Sequence, residues 1–175
     1  DRRQRQMCIR DRGKALGKIN LHVAGVHNIL NSLAAAAASF YANVSFESIQ
    51  KGLSDFRGAG RRFELIGKEK GITIVDDYAH HPTELSVTLK AAMDMGYNKV
   101  WAVFQPFTFS RTAILLDDFA KALSIPDHAV LSEILAVRET NTYHIYAKDL
   151  AEKIPGSVWF PTCLLYTSPS PRDRQ

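Results

Sequence analysis

The sequence predicts an α/β protein built on a mainly parallel sheet. Three observations predict it. Strand-like and helix-like segments alternate from residue 62 to residue 160, the order expected of a parallel sheet with helices on both faces. One strand, Val100-Trp101-Ala102-Val103-Phe104, is a continuous apolar run, as strands buried on both faces are. The helices are punctuated at their ends, by Pro82 where a first turn would begin and by Gly96 where a helix would stop.

Taken in order, Ile19 to Val23 alternates apolar and polar residues, as a strand with one buried face does. Gly25 punctuates it, and a helix follows from about Asn28 to Phe40, rich in the best helix former, alanine. Ser45 is placed to cap a second, shorter helix. Gly58-Ala59-Gly60 breaks the pattern and is read as a domain boundary. Arg62 to Ile66 and Ile72 to Val75 then read as strands, joined by a hairpin turn at Gly67-Lys68-Glu69-Lys70-Gly71. This last segment lacks the Gly-Lys-Ser/Thr ending of a phosphate loop. A helix is expected from Thr83 to Met95, a strand at 100–104, and a helix capped by Ser110 and running to about Leu123. A strand from Ala129, a helix from Ala147 to Lys153 and a short strand at Val158-Trp159-Phe160 complete the pattern.

The two ends are set aside. Residues 7–11 can be coded ATG TGT ATA AGA GAC and residues 163–167 TGT CTC TTA TAC ACA, which are reverse complements offset by one base. Unrelated peptide ends do not show this, and both resemble translated sequencing-adapter ends. Residues 1–12 and 163–175 are therefore expected to be non-native. The whole chain has 22 Lys and Arg against 18 Asp and Glu, a net charge of +4. The two ends hold seven of those arginines and three of the aspartates, so 15 of each sign remain between them. The basic balance thus carries no message about nucleic acid or a membrane surface. Both cysteines, Cys8 and Cys163, also lie in the ends, so residues 13–162 have no disulfide framework and no thiolate metal site. No run of 18 apolar residues is present, so no spanning helix is expected. A cysteine-free centre is compatible with a reducing, cytoplasmic setting.

In parallel sheets, ligands sit outside the carboxyl ends of the strands. Several loops there are unusually polar. Val75-Asp76-Asp77-Tyr78-Ala79-His80-His81-Pro82-Thr83-Glu84 packs two carboxylates, a phenol and two imidazoles between a strand and a helix. It reads as a site or as a solvated, well-capped loop; the paired histidines also admit a metal, although adjacent imidazoles seldom reach one ion. In Gly25-Val26-His27-Asn28-Ile29-Leu30-Asn31, the two asparagines share a helical face. Their amides suit an adenine edge, or Asn28 caps the helix and Asn31 is exposed. Arg111, after Gln105-Pro106-Phe107, falls at a helix start, where it adds to the positive dipole end and can grip an anion. The alternative is a surface arginine paired with Asp117 or Glu133. Arg61 and Arg62 beside the glycine break are either a phosphate clamp or part of a solvated hinge.

Taken in order, Gly-x-His-Asn-x-x-Asn (25–31), Gly-Arg-Arg-Phe-Glu (60–64), Asp-Asp-Tyr-Ala-His-His-Pro-Thr-Glu (76–84) and Phe-Gln-Pro followed by Ser-Arg-Thr (104–112) resemble the Mur ligase family over nearly all of residues 13–162. The resemblance implies that residues 13–57 end a central ATPase domain and residues 58–162 form most of a Rossmann-like C-terminal ligase domain. It implies ATP and Mg2+ as cofactors, with the phosphate loop, a carbamylated lysine and the magnesium ligands lying upstream. His27, Asn28 and Asn31 would hold adenine, Asp77 the ribose and Arg62 the phosphates. Tyr78, His80 and Arg111 would line the amino-acid pocket, with Arg111 on the carboxylate and His80 a candidate base, imidazole being titratable near neutral pH. Tyr78 and the Thr83-Glu84 pair most resemble the member that joins L-alanine to UDP-N-acetylmuramate in peptidoglycan precursor synthesis. The alternatives are the member that recycles a tripeptide onto the same acceptor and a non-catalytic nucleotide-binding remnant. Phe107 departs from the histidine usual in the family.

Overall fold

The computed structural model describes residues 5–11, 13–136 and 138–162. The segments 1–4 and 163–175 of the ends set aside above lie outside the described residues, as does residue 12. The chain divides into two compact units, Asp1–Tyr78 and Ala79–Gln175.

In the first unit, β1 (Arg5–Asp11) pairs antiparallel with β2 (Lys14–Leu21), the register shifting between Ile9 and Arg10. The sequence reading set β1 aside. Pairing uses backbone groups and asks little of side chains, so it leaves the origin of these residues where the codon argument put it. Helix α1 (Val26–Tyr41) starts at Gly25 and buries a narrow stripe, Ser32 and Ala36, spaced i, i+4. Helix α2 (Phe46–Asp55) is capped as expected by Ser45, whose hydroxyl accepts from the Ser48 amide at 3.2 Å. Ile19, Leu21, Ala36 and Ile49 form the core, with Phe40, Phe46 and Leu53 packed against it. Gly17 permits that packing, since a Cβ there would lie 2.5 Å from a Phe46 ring carbon.

The same unit contains a hairpin of β3 (Glu64–Glu69) and β4 (Ile72–Asp76). Its turn is narrower than the five residues read from sequence. Glu69 pairs with Ile72, so Lys70 and Gly71 alone turn the chain, with φ of 48° and 82°. Positive φ at both positions matches the twist of the strands, which lets Gly67 to Glu69 stay in the ladder. The hairpin lies within this unit, which runs to Tyr78.

In the second unit, β5 (Trp101–Phe104), β6 (His128–Ser132) and β7 (Val158–Phe160) form a parallel sheet in that order. The sequence placed all three. Helix α3 (Pro82–Met93) opens with proline as expected and ends short of Gly96, whose φ is 69°. Helices α4 (Phe109–Ile114) and α5 (Leu116–Leu123) replace the single helix expected from Ser110. Leu115, at φ −110° and ψ 24°, interrupts them. A short α6 (Ala147–Ala151) connects β6 to β7. Among the described residues no helix is long and apolar enough to cross a membrane.

Among the described residues, the helices packed on the sheet lie on one face. Leu85 and Leu89 of α3, Phe119 and Leu123 of α5 and Leu150 of α6 share one core with Ala102, Phe104, Ala129 and Leu131. The opposite side chains of β5, Trp101 and Val103, are 60% and 58% exposed. The strand order supplies the reason. The sheet grows in one direction from β5 to β7, and right-handed crossovers taken in one direction fall on one side. An apolar run therefore did not mean two buried faces.

Leu131 is fully buried between these helices and strands. Leu131→Ala is expected to lower unfolding stability by about 3 kcal/mol, whereas Val103→Ala on the open face should stay within roughly 0.5 kcal/mol. Denaturant melts of the two variants check the one-sided core.

Candidate active site

Two short segments of the first unit are stitched together by backbone bonds. The Tyr78 amide donates to the Arg61 carbonyl at 2.8 Å, and the Phe63 amide donates to Asp77 Oδ2 at 2.8 Å. Arg61 and Phe63 both have left-handed backbone, φ 56° and 48°, on either side of Arg62. Non-glycine residues rarely adopt this, and such strain concentrates at functional positions. The strain and the Asp77 bond fix where the exposed Arg62 leaves the chain. Arg61 is committed elsewhere. Its Nε lies 3.3 Å from Asp76 Oδ2, and its guanidinium stacks 4.7 Å from the centre of the Tyr78 ring. The two arginines therefore do not act as an equal pair: Arg61 is tied to Asp76 and the Tyr78 ring.

At the start of α1, Asn28 Nδ2 donates to the Ala24 carbonyl at 2.6 Å, which fixes the plane of its amide. The helix cap itself is Gly25, so the capping role considered for Asn28 is not the one it has. Asn31 is exposed one turn on. Just before Asn28 in the chain, His27 is half-buried, and its Nδ1 is buried with no hydrogen-bond partner. A buried imidazole nitrogen without a partner is a group waiting for a polar ligand. Burial holds this imidazole below its ordinary value, against the opposing pull of the Asp77 carboxylate.

In the second unit, Glu84 organises the loop before α3. Its Oε2 accepts from the amides of His80 at 3.0 Å and His81 at 3.3 Å, and lies 3.6 Å from His80 Nδ1. His81 Nδ1 accepts from the Thr83 amide, completing a reciprocal cap. The two histidines thus differ in role. His81 is a helix cap, while His80 is oriented by a carboxylate. Arg111 Nη1 donates to the His80 carbonyl at 3.3 Å, joining the loop after β5 to the loop before α3. The alternative partners considered for Arg111 are taken. Asp117 meets Lys153 at 2.9 Å, and Glu133 accepts from the amides of Ile134 and Ala147. Ser110, expected to cap a helix, sits inside α4 and donates its amide and hydroxyl to Glu139. Phe107 is 40% exposed beside the buried Pro106.

Residues 61–165 match the Mur ligase glutamate ligase domain. The chain belongs to the Mur ligase family. It is 51% identical over 142 residues to the UDP-N-acetylmuramate--L-alanine ligase of Lachnospira eligens, covering 81% of this chain and 31% of that protein. It is 47% identical over 154 residues to the enzyme of the same name from Agathobacter rectalis, covering 86% of this chain and 34% of that one. Among solved structures, the UDP-N-acetylmuramate-alanine ligase of Thermotoga maritima superposes with a TM-score of 0.74 at 26% identity, over 92% of this chain and 35% of its own. The chain thus spans about a third of the length of the relatives it matches.

The contacts of three residues of this Mur ligase chain were not legible in the sequence. Glu84 hid its capping role because histidine, an unusual cap, stands where Ser or Thr would signal it. Arg61 reads like its neighbour, and only the fold separates them. Glu139 gave no signal at all. Among the described residues no three His, Cys, Asp or Glu side chains converge to hold a metal ion, so no step is assigned here to magnesium.

Burial favours the neutral form of His27, so the unfolded chain takes up the proton more readily. The fold keeps its full stability above the ordinary value of 6.5 and loses part of it as pH falls below. The His27 ring resonances should titrate below 6.5 by NMR, and His27→Gln should remove that share of the acid sensitivity.

Proposed function

We propose that in the full-length protein this chain completes a cytoplasmic, ATP-dependent ligase that joins L-alanine to UDP-N-acetylmuramate. The observation that carries the reading is the 51% identity over 142 residues to the enzyme of that name in Lachnospira eligens. The clustering of His80, Glu84 and Arg111 in one unit, and of His27, Arg62, Asp77 and Tyr78 in the other, supports it.

His27, with its unpartnered nitrogen, and Asn28 and Asn31 on the same helical turn would receive the adenine. Asp77 would hold the ribose hydroxyls, and Arg62 the phosphate chain. The lactyl carboxylate of the sugar attacks the terminal phosphorus, forming an acyl phosphate and releasing ADP. The neutral amine of alanine then attacks the acyl carbon, phosphate leaves with the bonding pair, and the amine loses a proton. Arg62 would offset the charge that gathers where the two anions meet. Arg111 would take the alanine carboxylate, while the Tyr78 ring is held by the Arg61 guanidinium. His80 would accept the amine proton, with Glu84 beside its Nδ1 steadying the charged ring. Magnesium, held by residues of the upstream part, would supply further charge neutralisation.

In the full-length enzyme, phosphate release should respond to L-alanine and not to the tripeptide of the recycling ligase. The opposite response would move the assignment. The 175-residue chain by itself carries no phosphate loop. It should release no phosphate from ATP in the presence of L-alanine and UDP-N-acetylmuramate, as a coupled phosphate assay checks.

A further inference from the structure

We infer that Glu139 is a positioning residue for the amino-acid end of the site, holding Ser110 and through it aiming Arg111. The inference rests on the reading of Arg111 as the carboxylate-binding residue.

The hydrogen bonding around α4 is unusual. Its N-cap residue, Thr108, makes no side-chain cap bond. A carboxylate 29 residues away does that work, Glu139 Oε2 accepting from the Ser110 amide at 3.0 Å and Oε1 from the Ser110 hydroxyl at 2.5 Å. A local cap would serve the helix equally well, but it would not tie the loop after β6 to the loop after β5. Both loops leave the carboxyl ends of parallel strands, where ligands of such sheets bind. Arg111 follows Ser110 directly. Fixing the amide and hydroxyl of Ser110 fixes the backbone from which the guanidinium reaches the His80 carbonyl. The connection therefore runs from Glu139 through Ser110 and Arg111 to His80, and each link after the first touches a residue read as part of the site.

The loop that carries Glu139 is built to present it. Ala136 and Arg138 both adopt left-handed backbone, φ 59° and 58°, an uncommon conformation for residues with a Cβ. The loop is anchored on both sides of that turn. The Leu135 amide donates to the Pro106 carbonyl at 2.9 Å, and Asn141 exchanges two bonds with Ile145 at 2.9 and 3.1 Å. Held this way, the Glu139 carboxyl stays below the usual range, first through the Ser110 bonds and in smaller part through the Arg111 charge. It remains ionised beside Arg111 and acts on it as a steady counter-charge.

The test compares Glu139→Ala, Glu139→Gln and Arg111→Ala in a full-length ligase carrying this chain. Glu139→Ala should raise KM for L-alanine roughly tenfold, the loss expected of a charge-assisted hydrogen bond, with KM for ATP within about twofold of the parent. Glu139→Gln keeps an acceptor for Ser110 and should recover most of the loss. An unchanged KM for L-alanine in Glu139→Ala, with only a lowered melting temperature, would make Glu139 a structural cap and overturn the inference. A parallel rise in both KM values would do the same. If Glu139→Ala does not fold, Glu139→Asp carries the test, because it keeps the charge and shortens the reach; its KM for L-alanine should rise, and no change overturns the inference. Arg111→Ala separates the two levels. If it leaves KM for L-alanine unchanged, the reading of Arg111 itself fails, whatever Glu139 does.

Discussion

Parallel pairing of β5, β6 and β7 in one direction is the constraint on which the second unit depends. It places the connecting helices on one side, so Leu85, Phe119, Leu131 and Leu150 meet in a single core. It also puts the loops after β5 and β6 side by side at the carboxyl edge. Arg111 and Glu139 come from these two loops, and each makes sense only beside the other. The open side of the sheet, with Trp101 tilted over His128 at 4.2 Å, follows from the same direction of growth.

Around that framework, carboxylates act mainly as acceptors for backbone amides. Asp77 takes the Phe63 amide, Glu84 those of His80 and His81, Asp127 that of Val100, Glu133 those of Ile134 and Ala147, and Glu139 that of Ser110. Such bonds satisfy donors at helix starts and loop closures that no ladder can reach. They have a second consequence. Two of them fix the chain next to an arginine, Arg62 beside Phe63 and Arg111 beside Ser110.

Membership in the Mur ligases gives these arrangements a purpose. The proposed acyl-phosphate reaction would bring anions together and would need cations in fixed places, more than an unusual side chain. The two arginines beside the glycine break illustrate the division of labour. Arg61 is spent on Asp76 and the Tyr78 ring, which locks the polar loop in place. Arg62 lies between two left-handed residues, Arg61 and Phe63.

The sequence by itself determined the kind and order of the elements. Their local signals are strong: Ser45 before α2, Pro82 at the start of α3, and apolar runs at β5, β6 and β7. It also determined the family, because ordered motifs survive without coordinates, and it named Arg62, His80 and Arg111 by residue type. What it left undecided depends on contacts between distant residues. Whether β5 is covered on one face or two depends on strand order, which periodicity does not encode. That Arg61 is tied down depends on a carboxylate fifteen positions on and a ring two further. That Glu139 meets Ser110 across 29 residues has no local signature, because loop closure is decided by the packing of the strands that carry the loops. Residue types chose the chemistry available, and tertiary structure chose which groups stand close enough to share it.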